Sequence, residues 1–122
     1  MDKKKILIVD DEPDIVYLLQ QYLELNGYQT LVAGDMVQII QDIQAEQVDL
    51  LILDVMMKGI NGWQICREIK NNSGLNHIPV IIMSARTQQV DQARSYDNGA
   101  NYYITKPFDF KELSGAIEKL VG

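Results

Sequence analysis

Four apolar runs in this chain stop on, or just before, a polar side chain. Ile6–Val9 runs into Asp10 and Asp11, "LLIL" at Leu50–Leu53 into Asp54, and "VIIM" at Val80–Met83 into Ser84, while Tyr102–Thr105 is followed by Lys106. Each residue alone has an ordinary explanation: Asp10 and Asp11 as caps of a coming helix, Asp54 as a loop carboxylate, Ser84 as an N-cap, Lys106 as a solvated side chain. Gathered at one place they mean something else. Three carboxylates aimed at one point repel one another, and their pKa values rise unless a cation neutralises them. All the candidate ligands are oxygen, with no His or Cys among them, so the implied ion is hard; Mg²⁺, which takes one or two carboxylates plus waters and phosphate oxygens, fits. A divalent ion, an ammonium and a hydroxyl around a carboxylate are the apparatus of phosphoryl transfer, with the carboxylate as nucleophile and an aspartyl phosphate as product. Asp54, between the paired acids and the lysine, is the best nucleophile.

These residues meet only if the elements carrying them are parallel. Apolar runs alternate with helical patterns along the whole chain. Ile6–Val9 reads as a first strand, and Ile15, Leu18, Leu19, Tyr22 and Leu23 share one face of a helix opened by Pro13 and Asp14 and ended near Asn26-Gly27. Tyr28–Val32 reads as a second strand, and Met36, Val37, Ile40 and Ile43 mark a second helix. Leu50–Leu53 is a third strand, fully apolar, and Ile65, Cys66 and Ile69 mark a helix broken by "NNSG" at Asn71–Gly74. Val80–Met83 is a fourth strand, Thr87–Asn98 a weakly amphipathic helix, and Tyr102–Thr105 a fifth strand. Phe110, Leu113, Ile117 and Leu120 stripe the last helix. Five βα units imply an α/β fold with one parallel sheet covered on both faces, and in such sheets ligands sit at the carboxyl ends of the strands.

The 122 residues suit one domain spanning 1–122, without linker or repeat. With 17 acidic and 11 basic side chains, the net charge of −6 repels phosphate backbones and anionic membranes, so neither nucleic acid nor a membrane is the expected partner of this domain. The single Cys66 cannot form an internal disulfide, and no apolar stretch approaches a signal-peptide core or a membrane span; the expected setting is the cytoplasm.

"ILIVDDEPDI", "LILDVMMKGINGW", "PVIIMSA" and "GANYYITKPF" occur in order and cover the chain from about Lys4 to Leu120. In these motifs the sequence resembles the receiver domain of two-component response regulators. The resemblance implies a flavodoxin-like, chemotaxis-regulator-like sheet of order 2-1-3-4-5 with five helices on its two faces. It implies that Asp54 accepts a phosphoryl group from a sensor histidine kinase or phosphotransfer protein, with Mg²⁺ held by Asp11, Asp54 and the backbone carbonyl of Met56 and with Asp10 helping through a water. Ser84 and Lys106 would hold the phosphoryl oxygens, and Tyr103 occupies the switch-aromatic position. The Lys106-Pro107 peptide is expected to be cis. The output would be a two-state surface on the fourth helix, fifth strand and fifth helix, meeting a downstream protein or effector domain. On this reading the chain is a signalling switch that catalyses its own phosphorylation and slow dephosphorylation, not a conventional enzyme.

The sequence departs from the family at several points. Lys58 stands where a proline is usual and is expected to point to solvent. Ser84 replaces the commoner threonine and keeps the hydroxyl. Asn101-Tyr102 replaces an acidic pair, and Ala116 an arginine, that often serve dimerisation through the fourth helix, fifth strand and fifth helix, which argues against that dimer. His77 is expected to be an exposed loop residue, Met56 and Met57 filler, Trp63 a packing residue, Cys66 inert, and Ile39 and Val90 either surface contacts or ordinary packing. Loss of Lys106 is expected to leave folding almost intact. Two other readings remain: a magnesium-dependent phosphatase with an aspartate nucleophile, though such enzymes carry Asp-x-Asp on the first strand rather than Asp10-Asp11, and a flavodoxin-type cofactor carrier, whose FMN phosphate three carboxylates would repel.

Overall fold

The computed structural model describes residues 3–86 and 88–122. Strands β1 (Lys5–Val9), β2 (Gln29–Val32), β3 (Leu50–Asp54), β6 (Val80–Ser84) and β7 (Tyr102–Thr105) form one sheet in the order β2-β1-β3-β6-β7. All its neighbours are parallel. This is the expected 2-1-3-4-5 order once a small antiparallel ladder, β4 (Met56–Met57) with β5 (Ile60–Asn61), is counted after β3. Helices α1 (Pro13–Leu25), α2 (Met36–Glu46), α3 (Gly62–Lys70), α4 (Gln89–Asp97) and α5 (Phe110–Val121) make the crossovers and the final layer.

The side-chain alternation of a strand divides the core in two. Ile6, Ile8, Leu50, Ile52, Ile81, Met83 and Ile104 face α1 and α5, meeting Leu19, Leu23, Leu113 and Ile117. Leu7, Val9, Leu51, Leu53, Val80 and Ile82 face the other way, against Ile39 and Ile43 of α2 and Trp63, Ile65, Cys66 and Ile69 of α3. Because the strands are covered on both sides, their sequences are continuous apolar runs rather than alternating ones.

Local chemistry sets the helix starts. Asp35 Oδ1 accepts the Gln38 N–H at 2.8 Å to cap α2, Asn61 Oδ1 the Trp63 N–H at 2.9 Å to cap α3, and Asp109 Oδ1 the Lys111 N–H at 2.7 Å at α5. Helix α1 instead starts with Pro13 at a position where the missing N–H costs nothing, and the preceding Glu12 makes no capping bond with its side chain.

Some expectations shift. The second strand starts at Gln29, one residue late, because Gly27 (φ +91°) and Tyr28 complete the turn out of α1. The fourth helix begins at Gln89, and Thr87, its expected start, lies outside the described residues. Ile39 is fully buried under the sheet, whereas Val90 is 66% exposed, so only the second is a surface residue. Ala116 is also buried, turned inward from α5 against the sheet. Asn101 has an internal task, its Oδ1 accepting the Val80 N–H at 2.9 Å at the start of β6. Among the described residues no helix is long and apolar enough to cross a membrane.

Candidate functional site at the carboxyl rim

Parallel strands bring the ends of β1, β3, β6 and β7 to one rim, and the sequence-predicted residues follow. Asp54 closes β3, the central strand, and its side chain is 5% exposed. Asp10, just past β1, is equally sheltered, at 3%. Lys106 follows β7 and reaches back so that its ammonium lies 2.8 Å from Asp10 Oδ2 and 3.3 Å from Asp54 Oδ2. The Lys106–Pro107 bond is cis, as expected, and the Lys106 N–H donates to the Ser84 carbonyl at 2.7 Å. A third carboxylate completes the set: Glu12 Oε1 stands 2.9 Å from the same ammonium.

Backbone donors hold the carboxylates in place. Asp10 Oδ1 accepts the Glu12 N–H at 2.9 Å, and Asp54 Oδ1 the Met56 N–H at 3.3 Å. The turn after β3 needs Gly62. A Cβ there would collide with the Asp54 carbonyl oxygen and lie 2.7 Å from Val55 Cα, while the Gly62 N–H donates to the Val55 carbonyl at 2.8 Å. Only a residue without a side chain lets α3 start so close behind the nucleophile candidate.

The electrostatics are unbalanced. Burial raises the Asp54 pKa above its ordinary value; Lys106 pulls it back, and Asp10 pushes it up again. Burial alone would lower Lys106, but its bonds to Asp10 and Glu12 and the charges of Asp10 and Asp54 hold it above the ordinary lysine value. One ammonium among three carboxylates leaves an excess of negative charge. Oxygens of Asp10, Glu12 and Asp54 lie within 4.8 Å of one another. An all-oxygen, under-neutralised trio of this kind fits a hard divalent cation.

Asp11 stands outside that trio. It is exposed, and its Oδ2 accepts the backbone N–H of Lys58 at 2.9 Å, tying the loop after β3 to the end of β1. The Lys58 side chain is exposed and makes no ion pair among the described residues, as expected. The Met56 side chain is 56% exposed beside the site. Ser84, closing β6, is 1% exposed, and its Oγ accepts the Arg86 N–H at 3.1 Å. Tyr103 is buried, with its hydroxyl donating to the Arg86 carbonyl. His77 is an exposed loop residue, and burial lifts the Cys66 thiol to about 11, which leaves it inert at neutral pH.

Sequence reasoning missed two things. Glu12, to which sequence reasoning gives no role, contributes a carboxylate to Lys106 across 94 positions. It also gave no sign that Trp63 is hydrogen-bonded: the indole Nε1–H donates to Ser95 Oγ of α4 at 2.8 Å. The one available signal was the spacing of Asp91 and Ser95, four apart and so on one helical face.

A family model described as the response regulator receiver domain matches residues 6–118. The chain is 33% identical over 118 residues to the alkaline phosphatase synthesis transcriptional regulatory protein PhoP of Bacillus subtilis, covering 97% of this chain and 48% of that protein. It is 41% identical over 117 residues to the transcriptional regulatory protein YxdJ of the same organism, covering 96% and 50%. The chain thus spans about half the length of these curated relatives. Among solved structures, a putative response regulator from Chloroflexus aurantiacus superposes with a TM-score of 0.91 at 27% identity, covering 98% of both chains. The signal receiver domain of a signal transduction histidine kinase from Syntrophus aciditrophicus does so with a TM-score of 0.86 at 33% identity, covering 97% and 89%.

Proposed function

Since the chain belongs to the response regulator receiver domain family, we propose that it is a phosphorylation-driven switch whose phosphoacceptor is Asp54. The observation that carries this reading is the buried Asp10–Lys106–Asp54 bridge at the end of the central strand. It leaves one carboxylate sheltered from water, held by a backbone N–H and beside a fixed cation.

In the proposed reaction an oxygen of Asp54 attacks in line on the phosphorus of a phosphohistidine carried by a sensor kinase or phosphotransfer protein. The P–O bond forms as the P–N bond breaks, the imidazole leaves with the electron pair, and solvent supplies its proton. Lys106 faces the charge that spreads onto the phosphoryl oxygens, and the Ser84 hydroxyl donates to one of them. Asp10 and Asp54 of the carboxylate trio, with Asp11 and the Met56 carbonyl beside them, would hold Mg²⁺, which would supply further neutralisation of those oxygens. Tyr103 and Ser84 then report the modification to the face of α4, β7 and α5, where Val90 and Tyr96 stand exposed for a downstream protein or effector domain. The charge of −6 argues against direct nucleic-acid or membrane binding by this domain and, with the lone thiol, suits the cytoplasm.

Acetyl phosphate with Mg²⁺, followed by borohydride trapping and mass spectrometry, should place the modification on Asp54. Undiminished labelling of Asp54→Ala would remove this reading.

A further inference from the structure

Beside the rim lies a second polar cluster, strung between α3, α4 and the segment after β6, with Trp63, Asp91 and Ser95 buried. Its members are far apart in sequence and bonded end to end. The Arg86 guanidinium donates from Nη1 to Asp91 Oδ1 at 3.1 Å, in the first turn of α4. The Ser95 hydroxyl donates back to the Asp91 carbonyl at 3.0 Å and accepts the Trp63 Nε1–H at 2.8 Å. Arg86 and Arg94 both lie over the indole, with their Cζ atoms 5.5 and 4.1 Å from the ring centroid. Ser95 is fully buried and Trp63 nearly so.

Arg86 is where this cluster meets the rim. Its N–H donates to Ser84 Oγ, and its carbonyl accepts the Tyr103 hydroxyl. Ser84 accepts from Arg86 through an oxygen lone pair and keeps its own proton, which lies within reach of the Tyr103 hydroxyl. If that proton goes to a phosphoryl oxygen on Asp54, drawing Ser84 toward Asp54 pulls residue 86 along with it. The pull then reaches Asp91 through a charge-assisted bond, and Ser95 and Trp63 through two more.

We infer that Arg86 is a positioning residue that joins Ser84 to helix α4 and the Trp63 indole, so that a change at the Ser84 hydroxyl reaches α4 by a route that does not need the Tyr103 hydroxyl. Contiguous hydrogen-bonded side chains with fixed partners are the kind of path along which such coupling travels. The inference rests on the phosphorylation reading above, and labelling and response are therefore measured separately.

The chain has one tryptophan, and it sits at the far end of this path, so its emission is the readout. The parent, Tyr103→Phe, Arg86→Ala and Asp91→Asn are treated with acetyl phosphate and Mg²⁺ and compared at equal labelled fraction of Asp54, read by mass. Trp63 emission and amide exchange over Gln89–Asp97 are recorded with and without label. The parent and Tyr103→Phe should both respond in α4. Arg86→Ala and Asp91→Asn should lose the response by about fivefold or more, the lower end of usual coupling between sites. The Arg86 side chain is 43% exposed, so its loss should not unfold the chain; if it does, the isosteric Asp91→Asn decides. A full α4 response in Asp91→Asn or in a folded Arg86→Ala overturns the inference and leaves the function standing, and so does its disappearance in Tyr103→Phe. A parent that takes no label on Asp54 overturns both.

Discussion

At the carboxyl rim one ammonium, Lys106, faces three carboxylates, whereas around Trp63 two guanidiniums lie over the indole and one of them, that of Arg86, pairs with the carboxylate of Asp91. The two clusters meet at the end of β6, Asp10 and Asp54 sheltered and the guanidiniums of Arg86 and Arg94 open to water, and they carry opposite excess charge. In the Trp63 cluster the excess is absorbed internally, by the indole face and by the partial exposure of Arg86. At the rim it is not absorbed, and the Asp54 carboxyl is pushed up in consequence. A sheltered imbalance of that kind favours a cation supplied from outside the chain. The balanced cluster has no such need, and what it offers is rigidity.

The sharpest way to break this contrast is to remove the cation at the rim. Lys106→Met leaves Asp10 and Asp54 buried without an opposite charge, which should cost about 3 kcal/mol in urea unfolding. Saturating Mg²⁺ should restore part of the loss by binding the folded state. The sequence alone suggested that this lysine could go at little cost; its near-complete burial among carboxylates reverses that expectation. Equal stability of mutant and parent in metal-free buffer would show that the rim is not electrostatically loaded.

On the balanced side, Ser95→Ala strips the Trp63 Nε1–H of its acceptor inside the core. The expected loss is about 2 kcal/mol by the same measurement, and, unlike that of Lys106→Met, it should be indifferent to Mg²⁺. A metal-dependent loss would mean that the two clusters are not separate.

The smallest effect should be a gain. Since the folded Asp54 pKa lies above the ordinary 3.8, the folded chain holds that proton more tightly than the unfolded one, and ionisation opposes folding as pH rises through the folded value. Asp54→Asn should therefore be the more stable protein in metal-free buffer at pH 7, with a Tm above that of the parent. The advantage should fade as pH falls through the raised folded value towards 3.8, and be gone below 3.8, where both states of the parent are protonated. Thermal melts across that range check both the sign and the window.

The rim was largely readable from the sequence because each of its main residues ends or directly follows an apolar run, and strand ends are where a parallel sheet exposes its chemistry. Asp10, Asp54, Ser84 and Lys106 all betray themselves in this way. Glu12 does not, since a carboxylate beside Pro13 at a helix start already has a sufficient local explanation. The Trp63 cluster has no motif at all. Residues 63, 86, 91 and 95 belong to three different segments, and only tertiary packing brings the indole N–H to the Ser95 hydroxyl. The same limit hid the β4–β5 ladder, whose strands of two residues are too short to carry a periodicity. It also hid the burial of Ile39 and Ala116, where the pattern fixed a helix but not its exact rotation about its axis.

The sheet order has a consequence for how the chain comes to be competent. Strand β3 pairs with β1 on one side and β6 on the other, and Lys106 arrives only with β7, the last strand and an edge of the sheet. During synthesis the amino-terminal part emerges first, so Asp10 and Asp54 exist for a time with no ammonium between them. Contacts this distant in sequence, such as that between Lys106 and Asp10, close long loops and so slow folding as a whole. The carboxylate pair and its cation can therefore meet only once β7 has been made, and a chain stalled before β7 holds acids that repel one another but no finished site.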